Sequence, residues 1–497
     1  MTAALATKRS THAPLGRLAD GRLLRELAYI DGHWTAALDA ASLAVRDPFS
    51  GEILAHVASL GALEAKQAVD AAARAFPAWK ARLPQERAAT LRKWHELILA
   101  AREDLALIMT LEQGKPLVES RGEIDYAASF VEWYAEEGKR LNAESVTSHL
   151  PDAQMLVSRE PLGVAALLTP WNFPSAMLTR KAAAALAAGC TVVAHPSSYT
   201  PLSALALAEL AERAGLPAGV FNIVTGEAAP IAMTFCQDER VRVVSFTGST
   251  EIGRLIAQQC SPTVKRLVME LGGNAPLIVF DDADLDRAVA IAIGAKFATS
   301  GQDCLAANRI YVQRGLYPRF CEALANGIRA LKVGGGLEAG VEIGPLMHQR
   351  AVARTRARIE QALASGARRL VGDGPVPGPL FIAPTLLVDV PDDAAIMREE
   401  TFAPVACLAP FDTEAEAVAR ANATEHGLVA YVVTRDGARS LRVSRAIDYG
   451  MVAVNRVRIT GAPIPFGGVK QSGMGREGSR HGLEAFTDLK YTCFDLA

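Results

Sequence analysis

The chain of 497 residues lacks most of the signals that mark specialised protein classes. Its seven cysteines are an odd, scattered set with no histidine at zinc-ligand spacing, so neither a disulfide framework nor a metal site is expected. That usage suits a reducing compartment, the cytoplasm. The formal net charge is only -2 and no Lys/Arg block occurs, which removes the electrostatic ground for binding nucleic acid or an acidic membrane. Apolar runs such as KAAAALAAGC break off well short of the roughly 20 residues that a bilayer span needs. There is no internal repeat and no low-complexity linker.

What is present is ordinary for two or three packed domains: 50% hydrophobic and 21% charged residues. The first 25 residues are rich in Arg, Ser and Ala with Asp20 as their one acid, and read as a flexible tail in preference to an organellar transit peptide. Short strands (YIDGHW, SLAVRDP) precede two amphipathic helices, LEAKQAVDAAARAFPAW and PQERAATLRKWHELILAARED. Between Pro161 and Asn274, β-rich runs alternate with helical ones: GVAALLTPW, TVVAHP, VFNIVTG and VRVVSFTG are the strands. That alternation predicts a parallel, doubly wound sheet that binds a nucleotide at its strand C-termini. A second α/β unit starts near Leu277, and the tail HGLEAFTDLKYTCFDLA alternates like an edge strand.

Four stretches carry chemistry, and each also has a plain structural reading. Cysteine is most often a core residue, and Cys190 in AAGCTVV fits that role. Cys304 differs: in GQDCLAANR it follows an apolar helical run beside Gln302 and Asp303, where a loop would present a thiol to a carbonyl carbon. MELGGNAP sets Glu270 at a strand end beside Gly272 and Gly273, as a general base or as a solvated acid. TPWNFPSAM sets Asn172 between strand and helix, as a helix cap or as an amide donor to an oxyanion. FTGSTEIG opens a helix with Gly248 and Gly253, a place for a pyrophosphate, although the dinucleotide fingerprint G-x-G-x-x-G is absent.

Taken in order, TPWNFP, ALAAGCTVV, VFNIVTG, FTGSTEIG, ELGGNAP, GQDCLAANR, EETFAPV and PFGGVKQSGMGREG resemble the aldehyde dehydrogenase superfamily over nearly the whole chain. LEQGKP, FVEWYAEEGKR and GGVKQSGMGREGSRHG are most similar to its succinate-semialdehyde dehydrogenase branch. The resemblance implies an α/β fold: a Rossmann-type cofactor domain over 27–146 and 161–270, an α/β catalytic domain over 271–465, and a small β oligomerisation arm over 147–160 and 480–497. Residues 1–26 remain as a tail. It further implies a homodimer or homotetramer acting on a small aldehyde with NAD or NADP. Cys304 is then the nucleophile, the Asn172 amide and the Cys304 N–H hold the oxyanion, and Glu270 activates the hydrolytic water. Glu400 is assigned to the nicotinamide ribose, Phe402 to the ring, Thr169, Trp171, Gly248 and Ser249 to the rest of the cofactor path, and Lys181 to the scaffold.

Departures from the family pattern bear on specificity. In AHPSSYTP, His195 stands where Lys is usual and Ser198 where Glu is frequent, both on the adenosine ribose. At about 5 Å and an effective dielectric near 20, like unit charges repel by about 3 kcal/mol, so Ser198 lifts a barrier to the NADP phosphate. A neutral His195 lends that phosphate less charge than lysine would, so the expectation is NADP, weakly held. In the substrate pocket Arg180 matches one arginine that holds a distal carboxylate, but the second arginine position is Ala298. Arg456, Arg458 and Thr460 in VNRVRITGAP are the candidates to make up the loss, and a neutral or longer aldehyde is the alternative substrate. Ala306 removes a second cysteine, and Ala403 adds a methyl beside the expected nicotinamide path. A CoA-acylating enzyme is disfavoured by Glu270, and a catalytically silent binding relative by the intact Asn172, Glu270 and Cys304.

Overall fold

The computed structural model describes residues 14–496. Its first sheet has eight strands, with Val164–Thr169 and Thr191–Pro196 at the centre, buried along their full lengths. Continuous apolar strands suit a sheet covered by helices on both faces. Val164–Thr169 pairs in parallel with Thr191–Pro196 on one side and with Val241–Thr247 on the other. The strand order reverses there, which opens a crevice at the strand C-termini. The TPWN turn and the FTGS turn both emerge at that crevice. The short strands Ala28–Ile30 and His33–Thr35 extend one edge antiparallel, and Gly473–Met474 closes the other beside Arg266–Glu270.

The second sheet has seven strands, parallel except at one edge, with Ala275–Val279 between Ala307–Gln313 and Val429–Val433. Glu270 ends a strand of the first sheet, and after the short link LGGN the second sheet begins at Ala275. Cys304 stands just ahead of Ala307–Gln313, so Cys304 and Glu270 flank one junction.

A third sheet joins Glu144–Val146, Ala153–Pro161 and Thr487–Asp495, the last two paired antiparallel from Thr487 opposite Pro161 to Asp495 opposite Ala153. Leu489, Tyr491 and Phe494 are exposed on it.

Two expectations need amendment. Residues 1–13 lie outside the described residues, but from Pro14 the expected tail is packed: Leu15 and Leu23 are buried, and the Ala19 and Asp20 N–H groups donate to the Asp104 carboxylate at 2.9 and 2.8 Å. The run read as one helix from Pro84 is two, Pro84–Ala100 and Arg102–Gln113, broken at Ala101. A further helix, Leu117–Glu137, packs on Pro174–Ala188 and reaches the site described next.

Candidate active site

Cys304 is presented by an unusual backbone. After the helix Leu285–Phe297, Thr299, Ser300 and Gly301 all take left-handed conformations, with φ of 50°, 57° and 71°. Such conformations cost a non-glycine residue about 1–3 kcal/mol and persist only where surroundings impose them. Here they do. The Thr299 N–H donates to both Glu119 carboxylate oxygens at 3.1 Å, and the Ser300 hydroxyl accepts the Gly344 N–H at 2.8 Å. Gln302 donates to the Pro345 carbonyl and accepts the Met347 N–H. A Cβ on Gly301 would strike the Ala403 carbonyl. Ala403 is itself fully buried, so its methyl packs in the core and not beside an open path. Burial first, then the charges of Asp303 and Glu400, push the Cys304 thiol well above its usual pKa.

Asn172 sits in the turn between Val164–Thr169 and Pro174–Ala188. Its amide nitrogen donates to the Gln302 carbonyl at 3.1 Å, which directs the amide to the loop that carries Cys304 and leaves a second N–H for a ligand. Glu123 accepts the Ser175 and Ala176 N–H groups at the helix start. The Asn172 side chain is thereby spared the capping role, which another residue fills.

Glu270 is 2% exposed, and neither carboxylate oxygen has a hydrogen-bond partner among the described residues. Burial, and then the charge of Glu477, raise its pKa well above the carboxylate range. Behind it lies a buried ionic group that sequence reading missed. Glu477 pairs with Lys181 and, at 2.6 Å, with Arg180 Nε. Ser245 donates to the same carboxylate. Lys181, expected as scaffold, also donates to the Thr247 hydroxyl at 2.7 Å.

A cavity of about 590 Å³ opens on Cys304. Arg180, Ala298, Arg458 and Thr460 line it, whereas Arg456 is exposed and does not. The Arg180 guanidinium lies 4.1 Å from the Phe466 ring centre, and its Nη1 is buried without a partner among the described residues. Tyr126, on Leu117–Glu137, lines the cavity beside Arg180 and Thr460. Burial raises its hydroxyl pKa and those two side chains draw it down. It was not singled out from sequence, because a tyrosine in the helical run GEIDYAASF reads as packing.

The expected cofactor residues gather on the crevice. Trp171 meets the Phe402 ring edge-on, with centres 5.6 Å apart. Ser249 caps Thr250–Cys260 by accepting the Ile252 N–H, with Gly248 just before it. Thr169 ends its strand with a buried hydroxyl that has no partner among the described residues. Glu400 accepts the Gly273 N–H at 3.1 Å, and burial raises its pKa to about 7. A Cβ on Gly272 would lie 3.3 Å from Glu400 Oε2 and 3.4 Å from the Thr250 hydroxyl, so glycine keeps the space between them open. These residues fit the dinucleotide that the resemblance implies. The adenosine end is less direct. His195 is buried, donates from Nδ1 to the Val224 carbonyl at 2.8 Å, and leaves Nε2 buried without a described partner, while Ser198 is exposed. Among the described residues no group of three His, Cys, Asp or Glu side chains could hold a metal, and no helix is long and apolar enough to cross a membrane.

Comparison with known proteins matches residues 34–492 to the model of the aldehyde dehydrogenase family. The chain is 52% identical to a non-phosphorylating aspartate-semialdehyde dehydrogenase of Halomonas elongata, over 96% of this chain and 97% of that one. It is 51% identical to the NADP(+) succinate-semialdehyde dehydrogenase of Escherichia coli, over 97% of this chain and 100% of that one. The crystal structure described as an E. coli NADP-dependent enzyme superposes with a TM-score of 0.96 at 51% identity, covering 97% of this chain and 100% of that chain.

Proposed function

Because this chain belongs to the aldehyde dehydrogenase family, we propose that it oxidises a carboxylated semialdehyde to the dicarboxylic acid through a thioester on Cys304, with NAD(P) accepting the hydride. The observation that carries this reading is one cavity lined both by Cys304 and by the buried Arg180, whose Nη1 makes no described hydrogen bond, beside Tyr126 and Thr460. An arginine N–H with no partner in a buried site is suited to a carboxylate.

Cys304 attacks the aldehyde carbon to form a thiohemiacetal. The free N–H of the Asn172 amide and the Cys304 backbone N–H are the donors for the oxyanion. Loss of hydride leaves a thioester. Glu270 then takes a proton from water, the hydroxide so formed attacks the thioester, and the acid and thiol are released. Burial and the neighbouring acids favour the neutral forms of Cys304 and Glu270, so the chemistry quickens as pH rises.

NADP is the preferred dinucleotide in this reading. Ser198 sets no carboxylate against a 2′-phosphate. Burial holds His195 neutral, so it adds no charge to grip that phosphate. Equal efficiencies with NAD and NADP would refute the preference. The exposed apolar side chains of Leu489, Tyr491 and Phe494 support the use of the third sheet in a homodimer or homotetramer.

The test is the initial rate of reduced-dinucleotide formation with succinate semialdehyde, run beside Cys304→Ala. Turnover that vanishes in the variant is expected. Turnover confined to neutral aldehydes would overturn the substrate assignment.

A further inference from the structure

Two cations line the cavity on Cys304, and they stand at different depths. Arg180 is 1% exposed and close enough for its charge to act on the Cys304 thiol. Its guanidinium is already paired with Glu477 at 2.6 Å, so the unpartnered Nη1 is what remains for a ligand. Arg458 lines the same cavity but is exposed, which sets it toward solvent, and it makes no ion pair among the described residues. Of the acids on the wall, Glu119 lies under the charge of Lys115, and Asp303 under those of Lys115 and Arg180. The positive charge that no acid has claimed is that of Arg458.

The loop that carries Arg458 is held in place. At its root the Asn455 carbonyl accepts Arg287 Nη2 at 2.9 Å, and the Asn455 side chain bonds the Thr434 backbone in both directions. Val457 rests on the helix Leu285–Phe297, where a Cβ added to Gly294 would lie 3.3 Å from it. Beyond the loop, the Ala462 carbonyl accepts the Ser479 N–H at 2.7 Å. The rest of the wall is mostly apolar or small. Phe173, Met177, Val457 and Ile459 supply apolar surface, Ala298 leaves open the space an arginine would fill, and a Cβ on Gly122 would meet nothing within 4 Å. A volume of about 590 Å³ is in the range of sites that enclose ligands much larger than a four-carbon acid.

We propose that the preferred substrate is an ω-carboxylated aldehyde of six carbons or more, with its methylenes against the apolar wall and its carboxylate on Arg458, whereas shorter acids depend on Arg180. This deepens the semialdehyde reading and rests on it. Chain length is read by two cations of unequal worth. A short acid meets an arginine already half neutralised by Glu477 and leaves the apolar wall wet, while a longer one removes that wall from water and meets an unpaired guanidinium.

The test compares kcat/KM for succinate semialdehyde, for its six-carbon homologue adipate semialdehyde, and for hexanal, which has the longer chain without the charge. The six-carbon acid is expected to exceed the four-carbon acid by about tenfold or more, and to exceed hexanal as well. Arg458→Gln should lower the six-carbon acid severalfold toward hexanal and leave the four-carbon acid little changed. Ala298→Arg, which fills the open space and adds a cation within the wall, should shift the ratio back toward the four-carbon acid. A general loss of folding or activity would move all three substrates together, so the ratios isolate chain length and charge. A wild-type enzyme that prefers the four-carbon acid, or a ratio of the two acids unmoved in Arg458→Gln, overturns this inference and leaves the semialdehyde reading standing. Hexanal turned over faster than both acids would overturn that underlying reading as well.

Discussion

Lys115 Nζ donates to the backbone carbonyl of Asn172 at 2.6 Å, and the same ammonium meets Glu123 at 2.6 Å. Through this contact the helix Leu117–Glu137 fixes the turn that carries Asn172, since Glu123 also caps the helix that follows it. Replacing Lys115 by Met strands a buried carboxylate, a change that costs about 3–5 kcal/mol. The expected outcome is a lower melting temperature by calorimetry together with a lower kcat. A variant with unaltered kcat would show that Asn172 does not depend on this tie.

Asn172→Ala removes the side-chain amide proposed as oxyanion donor. Loss of one such donor lowers kcat by about 10²–10³-fold. Steady-state rates should show that drop with little change in KM. A change confined to KM would place the amide in substrate binding instead.

Glu270→Gln separates the two halves of the reaction. Steady-state turnover should fall by about 10²–10⁴-fold, the range for a lost general base. Rapid mixing should still show a first burst of reduced dinucleotide, one per active Cys304. If the burst disappears too, Glu270 is needed before the thioester forms.

Glu400 supplies a pH dependence with a definite sign. Burial raises its pKa to about 7, so below that pH it is protonated and accepts hydrogen bonds poorly, and above it the carboxylate is formed. KM for the dinucleotide should therefore fall as pH climbs through neutrality. Glu400→Gln should flatten the profile, and an unchanged slope in the variant would assign the titration elsewhere.

The residues proposed for the chemistry were legible because each lies in a short strand-turn or helix-turn segment whose glycines and polar residues break an apolar run: TPWN for Asn172, ELGG for Glu270, GQDC for Cys304. Their supports were not. Lys115, Glu119, Glu123 and Glu477 are charged residues in helical or loop segments, which in sequence read as solvated; only tertiary packing shows Lys115, Glu123 and Glu477 to be buried and paired. The left-handed run at Thr299 and Ser300 is likewise imposed by Glu119 and Gly344, which lie far off in the chain. The break at Ala101 has no glycine or proline to announce it. Residues 14–26 read as tail because their anchor, Asp104, sits on a helix far along the chain. Arg180 was found by resemblance, but its ion pair with Glu477 could not be, since only the fold brings the two together from distant parts of the chain.

The most direct measurement is the intact and peptide mass of Glu270→Gln after a single turnover with succinate semialdehyde and dinucleotide. An acyl group carried on the Cys304 peptide, absent from Cys304→Ala and short-lived in the wild type, is the expected result. An enzyme that forms reduced dinucleotide with no adduct, or with the adduct on another cysteine, would contradict the thioester account.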